Sequence, residues 1–180
     1  MSRPCIFFDR DGVVNVAPSP EEYYVLSPDR LFIQPAWLEA LAIVHESGYA
    51  AVIVTNQKCV HKGLISHAEL DEIHQVIRDA VSERGLKLLD IYSATRGDED
   101  PDAKPNPGMF FKAASEHDLD LGRSWMIGDS ARDVESGERA GLADTLLVGQ
   151  EVSLEDVCRI LRKRLRCEIN SRDGVGDENG

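Results

Sequence analysis

The sequence has 180 residues, 42% of them hydrophobic, which is enough to bury a substantial core in a single domain. Its formal net charge of −12 argues against nucleic acid or an anionic membrane as a partner attracted by the overall field, whereas a small anionic substrate would feel the local site more than the distant surface. No apolar stretch approaches the length of a membrane span, and the first residues do not have the pattern of a signal peptide, so we expect a cytoplasmic protein.

Short apolar runs alternate with helical patterns along the chain. We predict strands, buried on both faces, over residues 5–9, 50–56, 89–94, 124–129 and 144–149. Helical periodicity predicts helices over 35–48, 66–85, 106–118 and 130–141, and an amphipathic helix over 153–166 on the outside of the sheet. This alternation predicts an α/β fold, with a doubly wound, mostly parallel sheet and helices on both of its faces.

Several residues mark the ends of these predicted helices. Ser66, followed three residues later by Glu69, resembles a capping box at a helix start. Gly48, Gly85 and Gly141 stand where helices should stop, because glycine tolerates the left-handed conformation that ends many helices.

The predicted domain covers residues 1–167, and the polar, glycine-rich residues 168–180 are expected to form a mobile tail. The four cysteines have no CxxC spacing, so we expect reduced thiols and no zinc site built from cysteine. His45, His74 and His117 fall in predicted helices and are interpreted as surface residues.

Polar residues stand where the predicted strands end, at the edge where parallel sheets bind ligands. They are Asp9 and Asp11 after the first strand, Thr55 and Asn56 at the end of the second, and Asp129 after the fourth, with Asp133 four residues further on. Lys104 lies in the loop before the helix predicted from residue 106. Alternation along a strand is expected to point Asp9 and Asp11 the same way.

This set of side chains predicts a particular chemistry. Four carboxylates in one crevice would repel each other unless a cation neutralised them, and oxygen ligands without sulfur favour a hard cation, with Mg2+ first. Threonine, lysine and backbone N–H groups can donate to phosphoryl oxygens, and a carboxylate can itself be the nucleophile that forms an aspartyl-phosphate. The arrangement therefore suits phosphoryl transfer.

Four motifs in this order resemble those of the haloacid dehalogenase (HAD) superfamily of phosphatases: "DRDGVVN" at 9–15, "VTNQ" at 54–57, "KPNPGMF" at 104–110 and "IGDSARDVESGERAG" at 127–141. The resemblance runs from Cys5 to Val148, and four ordered motifs are far more specific than a lone DxD. Together with "KGLIS" at 62–66, they are most similar to the histidinol-phosphate and heptose-bisphosphate phosphatase group. The resemblance implies a Rossmann-like HAD core that hydrolyses phosphomonoesters with Mg2+.

The resemblance also implies roles for the three leading acids. Asp9 would be the nucleophile, and Asp11 would protonate the leaving oxygen and then activate the water that hydrolyses the aspartyl-phosphate. The carboxylates of Asp9 and Asp129, with the backbone carbonyl of Asp11, would hold Mg2+.

The remaining motif residues would bind and neutralise the phosphate. Thr55 and the Asn56 N–H would contact the phosphoryl group, Lys104 would neutralise charge on the phosphate and on the nucleophile, and Asp133 would orient Lys104 or a metal-bound water. Lys62 matches an arginine that is usual after the second motif, and is expected to reach a second anionic group on the substrate.

The sequence departs from the heptose-bisphosphate phosphatases in one loop. Those enzymes usually carry a zinc loop of the form CxH…CxC just before the motif-three lysine, with an arginine beside that lysine. The corresponding positions here are Ser93, Thr95, Asp100 and Asp102, and Ala103 replaces the arginine. We therefore expect no zinc, and Arg96 is a candidate for a compensating cation that contacts the substrate.

The intervals between the first three motifs are too short for a large cap domain. Residues 16–32 are expected to form a flap over the site, where Tyr23 and Tyr24 would line the leaving-group pocket. The site would then be relatively open, or closed by loops or by a partner subunit.

Three functions from different classes compete. A receiver-type signalling domain would carry its acceptor aspartate on the third strand and its lysine at the end of the fifth, whereas here the candidate acceptor follows the first strand and the lysine precedes the fourth. A catalytically silent scaffold has no support, because every motif residue is present. We expect a phosphatase of a small phosphorylated metabolite, a sugar phosphate or histidinol phosphate, with nucleotides or phosphorylated macromolecules at an open site as alternatives.

Overall fold

The structure, a computed structural model, describes residues 2–97 and 99–173, with side chains up to residue 165. At the centre of this part is a parallel sheet of five strands: β1 (Cys5–Phe8), β2 (Ala50–Asn56), β3 (Asp90–Ala94), β4 (Trp125–Gly128) and β5 (Asp144–Leu147). The strands lie in the order β3-β2-β1-β4-β5, so the topological switch point, where such sheets bind ligands, lies between β1 and β4. The predicted doubly wound parallel sheet is confirmed.

Helices lie between the strands, and one follows the last strand, in the described residues. They are α1 (Pro35–Glu46), α2 (Lys58–His61), α3 (His67–Glu83), α4 (Gly108–His117), α5 (Ala131–Ala140) and α6 (Leu154–Asp173). The sequence does not predict α2, because a helix of four residues directly after a strand shows no periodicity. Of the expected tail over 168–180, the first residues continue α6 to Asp173, and residues 174–180 lie outside the described residues.

The predicted helix ends are confirmed at α3 and α5. The Ser66 hydroxyl accepts from the Glu69 N–H while the Glu69 carboxylate accepts from the Ser66 N–H, which satisfies two amide groups that the first turn of α3 leaves without partners. Gly141 ends α5 in the left-handed region with φ 75°. Gly48 and Gly85 also have positive φ. Each directly follows the residue that caps the carboxyl end of its helix, Ser47 for α1 and Arg84 for α3.

The sheet is covered on both faces, which gives the protein two apolar layers. Phe7 and Phe8 are adjacent in β1 and point to opposite faces, where Phe7 meets Phe110 of α4 edge-on at 4.9 Å and Phe8 meets Trp37 of α1 at 6.2 Å between ring centroids. Helices α1, α3 and α6 bury their apolar faces in the layer that contains Phe8, and α4 in the layer that contains Phe7. The predicted burial on both faces is confirmed for β1, β2 and β4, whereas it is wrong for β3 and β5, which are only partly buried because they lie at the edges of the sheet.

Neither of the early connections holds an inserted domain. Between β1 and α1 the chain forms a loop with a single 3-10 turn over Pro28–Arg30, and between β2 and β3 it forms α2 and α3. The expectation of a small flap in place of a large cap is thus confirmed. Among the described residues, no helix has a long enough apolar run to cross a bilayer.

Candidate active site

A cavity of about 450 Å³ opens at the carboxyl ends of β1, β2 and β4. The structure brings to its wall all seven motif residues singled out in the sequence: Asp9, Asp11, Thr55, Asn56, Lys104, Asp129 and Asp133. A larger cavity, of about 530 Å³, lies near the amino end of β2, and the described residues that line it include no carboxylate. The smaller cavity is therefore the candidate active site.

Lys104 lies at the centre of this site and is almost fully buried. Its ammonium group donates hydrogen bonds to Asp9 Oδ1 and Asp133 Oδ1, each at 2.6 Å, and to the Val54 carbonyl at 2.9 Å. Burial lowers the pKa of Lys104, but the two carboxylates raise it by more, so the net shift is upward. Lys104 is thus a permanent cation at neutral pH that offsets two buried carboxylates.

The carboxyl groups around Lys104 differ in the net direction of their pKa shifts. Burial raises the pKa of Asp9 to about 7 against the opposing effect of Lys104, and the charge on Asp133 adds to the rise. Burial also raises the pKa of Asp133, but Lys104 and the hydrogen bonds from Ser130 lower it by more. The pKa of Asp129 is raised by burial and by the charge on Asp133. Asp9 and Asp129 are therefore the acids whose ionised forms a bound cation would stabilise.

Asn56 joins the end of β2 to the loop that carries Lys104. Its side-chain amide donates to the Lys104 carbonyl at 2.8 Å, and its side-chain oxygen accepts from the Lys104 N–H at 2.9 Å. The neighbouring Thr55 is buried, and its hydroxyl accepts from Gln57 Nε2 at 2.8 Å. Lys104 is thus held at its backbone as well as at its ammonium group.

Asp11 is held by three side chains whose part in the site sequence reasoning missed. Its carboxylate accepts from Arg10 Nη2 at 3.0 Å, from Asn15 Nδ2 at 3.0 Å and from Gln57 Nε2 at 3.0 Å. Strand β1 ends at Phe8, so Asp9 and Asp11 do not share a strand as predicted, although both still line the cavity. Arg10 and Asn15 lie inside the motif at 9–15, and Gln57 lies inside the motif at 54–57. Their place in these motifs is the signal that could have identified them.

His74 corrects an expectation. It lies on α3, but its ring is buried and Nε2 is 3.4 Å from Arg10 Nη1, so the interpretation of His74 as a surface residue is wrong. Arg10 is itself completely buried and turns away from the cavity, between the Asp11 carboxylate and this ring. A helical pattern with polar neighbours could not reveal that one histidine faces a buried cation.

The oxygens of Asp9, Asp129 and Asp133 lie within 4.8 Å of one another, close enough to share a metal ion. Asp133 already uses Oδ1 for Lys104 and Oδ2 for the Ser130 hydroxyl at 2.7 Å and the Ser130 N–H at 3.0 Å. Asp9 and Asp129 are therefore the better ligands, and an all-oxygen donor set fits Mg2+.

The mouth of the cavity carries positive charge and aromatic side chains. Lys58, Lys62 and Arg132 line it together with Tyr23 and Tyr24, as the flap prediction requires. The Lys62 ammonium group lies over the Tyr24 ring, 5.2 Å from its centroid.

Arg96 is not among the described residues that line this cavity. It forms ion pairs with Asp100 and Asp102 in its own loop instead. The structure therefore does not bring Arg96 to the cavity in which the substrate would bind.

Comparisons with known proteins agree with this geometry. A family model described as HAD-hydrolase-like matches residues 102–163. A D-glycero-beta-D-manno-heptose-1,7-bisphosphate 7-phosphatase from Rhodopseudomonas palustris is 32% identical over 161 residues, which is 84% of this chain and 87% of the relative. The enzyme of the same name from Bordetella bronchiseptica is 35% identical over 144 residues, 79% of each chain.

A solved structure extends the likeness to three dimensions. The crystal structure of D,D-heptose 1,7-bisphosphate phosphatase from B. bronchiseptica, complexed with magnesium and phosphate, has a TM-score of 0.78 at 29% identity and covers 89% of this chain and 98% of that chain. With four acids and a buried lysine at the switch point of such a sheet, the chain is a phosphatase, and it belongs to the HAD superfamily. Within that superfamily its relatives include the heptose bisphosphate phosphatases.

Proposed function

We propose that this protein is a Mg2+-dependent phosphomonoester hydrolase that acts through an aspartyl-phosphate intermediate on a small sugar bisphosphate. The observation that carries the proposal is the Lys104 ammonium group, which bridges Asp9 and Asp133 at 2.6 Å inside a cavity that Asp11 and Asp129 also line. Such a set positions and neutralises charge, which is most of what phosphoryl transfer needs.

In the first step a carboxylate oxygen of Asp9 attacks phosphorus. The bond between phosphorus and the leaving oxygen breaks, and Asp11 gives its proton to that oxygen. In the second step Asp11 takes a proton from water, the resulting hydroxide attacks the aspartyl-phosphate, and the Asp9 carboxylate is regenerated with release of phosphate. Hydrogen bonds from the side chains of Arg10, Asn15 and Gln57 fix the Asp11 carboxylate for both transfers.

Lys104, Thr55 and the Asn56 N–H would bind the phosphoryl oxygens. Asp9 and Asp129, with the Asp11 backbone carbonyl, would hold Mg2+, which supplies positive charge to the phosphate and relieves repulsion among the acids. Asp133 would keep Lys104 in place, since its Oδ1 accepts from the ammonium group and its Oδ2 is fixed by Ser130.

The substrate proposal depends on the relatives and on the cavity mouth. Two relatives are named as phosphatases of heptose-1,7-bisphosphate, which carries a second phosphoryl group. Lys58, Lys62 and Arg132 at the mouth would pair with that group while the first phosphate meets Asp9. The rings of Tyr23 and Tyr24 would then flank the sugar.

The test is phosphate release from a panel of compounds in the presence of Mg2+. The panel holds both anomers of heptose 1,7-bisphosphate, histidinol phosphate, a nucleoside monophosphate and a phosphopeptide. We expect one anomer of the bisphosphate to be hydrolysed with the highest kcat/KM, and one phosphate to leave per molecule. A preference for histidinol phosphate, the nucleotide or the peptide would overturn the sugar bisphosphate and leave the phosphatase in place.

The catalytic assignment is tested in the same assay with Asp9→Asn. This variant keeps the shape of the side chain but removes the nucleophile, so we expect turnover to fall by at least about 1000-fold. Asp71→Asn, an exposed change on α3, should keep wild-type activity. Undiminished hydrolysis by Asp9→Asn would contradict the covalent mechanism.

A further inference from the structure

The loop between β3 and α4 delivers Lys104 to the site, and its shape therefore decides where the ammonium group lies. The resemblance to the heptose-bisphosphate phosphatases implies a zinc loop at this place. Here the corresponding positions are Ser93, Thr95, Asp100 and Asp102. In this chain the loop is held by contacts among its own residues.

The residues present do not fit a zinc ion. Zinc in structural sites is bound by thiolate, imidazole or carboxylate, and two of the four positions offer just a hydroxyl. Among the described residues, Ser93 Oγ is buried without a hydrogen-bond partner, and both Asp100 oxygens already accept from Arg96. The groups of carboxylate, thiolate and imidazole side chains close enough to share an ion lie elsewhere in the described part of the chain.

Arg96 supplies the positive charge that pairs with the Asp100 carboxylate in this loop. Its Nε donates to Asp100 Oδ2 and its Nη2 to Asp100 Oδ1, each at 3.1 Å, in a two-pronged pair. The Asp100 side chain is only 2% exposed, whereas that of Arg96 is 72% exposed, so the guanidinium covers a buried carboxylate from outside. Burial raises the pKa of Asp100, but Arg96 and the Asp102 N–H lower it by more, which keeps the carboxylate charged.

Asp100 connects this pair to the residues on either side of Lys104. Its carboxylate accepts from the Asp102 N–H at 3.1 Å. Its backbone carbonyl accepts from the Ala103 N–H at 2.9 Å and from Asn106 Nδ2 at 3.0 Å. The turn that contains Lys104 is therefore built around Asp100, and Asn56 fixes the lysine backbone from the other side.

We propose that Arg96 and Asp100 are positioning residues for Lys104, and that the Arg96 guanidinium holds the lysine loop where a metal ion would otherwise do so. The inference rests on the proposed function, because it takes the Lys104 ammonium group to be part of the catalytic site. Removal of Arg96 leaves the buried Asp100 carboxylate without its cation and with the Asp102 N–H as its donor, so we expect the turn to open toward water and to carry Lys104 with it. A shift of about 1 Å in a positioned group can cost about 100-fold in rate.

The experiment compares Arg96→Ala, Arg96→Lys and Asp100→Asn with the control Arg123→Ala, which removes an exposed arginine paired with Asp120 at the far end of the fold. We expect Arg96→Ala and Asp100→Asn to lower kcat at least about tenfold with KM changed less than about twofold, because Lys104 is displaced while the cations at the cavity mouth, which would also bind the substrate, stay in place. Arg96→Lys keeps the cation but not the fork, and should restore part of kcat. The double variant should be no slower than either single variant, since both remove one pair.

Metal dependence is measured on the unmodified protein. A zinc-selective chelator with excess Mg2+ should change neither kcat nor the thermal midpoint, and the purified protein should contain no stoichiometric zinc. Loss of activity under the chelator would overturn the proposal, as would Arg96→Ala and Asp100→Asn variants with wild-type kcat. If Arg96→Ala does not fold, equal kcat values for Asp100→Asn, Arg96→Lys and the unmodified protein overturn it.

Lys104→Ala separates this inference from the proposed function. An active Lys104→Ala enzyme would contradict the catalytic role of Lys104 and with it this inference, whereas the absence of phosphate release by the unmodified protein would contradict the proposed function. An inactive Lys104→Ala enzyme beside fully active Arg96 and Asp100 variants would contradict the positioning pair alone.

Discussion

Arg10 and His74 form a buried layer directly behind the active-site cavity. The Arg10 guanidinium is fully buried and bonded to both oxygens of Asp11 at 3.0 Å, and the His74 ring lies on its other side. Burial lowers the pKa of His74 to about 3, and the charges of Arg10 and Arg78 add to the effect. A neutral His74 can accept from Arg10, whereas a protonated ring would repel it.

We predict that His74 makes the protein lose stability in acid. The unfolded chain takes up a proton at His74 near pH 6.5 while the folded protein does so near pH 3, so the unfolded state binds more protons between these values and stability falls as pH falls through this window. Each pH unit costs about 1.4 kcal/mol. His74→Gln should therefore lose about 2 kcal/mol less than the unmodified protein between about pH 7 and about pH 5.

Urea unfolding of both proteins at the two pH values measures this difference. His45→Gln is the control, because His45 is exposed on α1 and should leave the pH dependence as it is. An unchanged loss of stability in His74→Gln would show that the ring is protonated in the folded protein.

At the scale of elements, the site depends on how closely α5 begins against the end of β4. A methyl group at Gly128 would lie 2.2 Å from Asp133 Cβ, and one at Gly12 would lie 2.1 Å from Asp129 Oδ2. Glycine at the end of β4 and after Asp11 lets the acids approach the centre from two sides. The motif strings contain both glycines, but sequence reasoning assigned neither a role, because close approach is a property of packed elements.

Gly128→Ala should therefore push the start of α5 away from the sheet. We expect a loss of about 1–3 kcal/mol in the free energy of unfolding, as for other overpacked positions, and a fall in kcat because Asp133 no longer aligns Lys104. Gly122→Ala is the matched control, since its methyl group would meet Asp120 Oδ1 at an ordinary 3.6 Å. Denaturant unfolding and phosphate release measure the two effects, and a fully active, equally stable Gly128→Ala would contradict the tight fit.

At the scale of the whole molecule, the sheet and the inner site could be predicted from sequence, while the layer behind the site could not. Apolar runs such as 50–56 must be buried on both faces, and that requirement leads to a parallel sheet whose carboxyl edge gathers Asp9, Asp129 and their neighbours. The inward turn of Arg10 and the pairing of Arg96 with Asp100 depend on the direction of single side chains in loops. No periodicity encodes such directions.

The same concentration of acids leads to a prediction about metal and stability. The pKa of Asp129 is raised by burial and by Asp133, so the folded protein holds ionised Asp129 less well than the unfolded chain does. The stability that this group contributes is present below the pKa of the unfolded chain and is lost as pH rises through the higher folded pKa. Metal-free Asp129→Asn should thus have a higher thermal midpoint than the metal-free unmodified protein at neutral pH, because the asparagine side chain carries no charge.

In the presence of Mg2+ the unmodified protein should have a higher thermal midpoint than Asp129→Asn. A cation that binds the folded state alone adds about 2.7 kcal/mol at about 100 times its Kd, so the midpoint of the unmodified protein should rise with Mg2+, and more at high pH where Asp9 has lost its proton. Asp129→Asn lacks a ligand and should show little rise, whereas the exposed Asp71→Asn should respond like the unmodified protein. Thermal unfolding after chelation and after titration with Mg2+ measures all three. An equal rise in the thermal midpoint of Asp129→Asn would show that the ion binds to other side chains. The positive charge that meets the phosphate would then lie there as well.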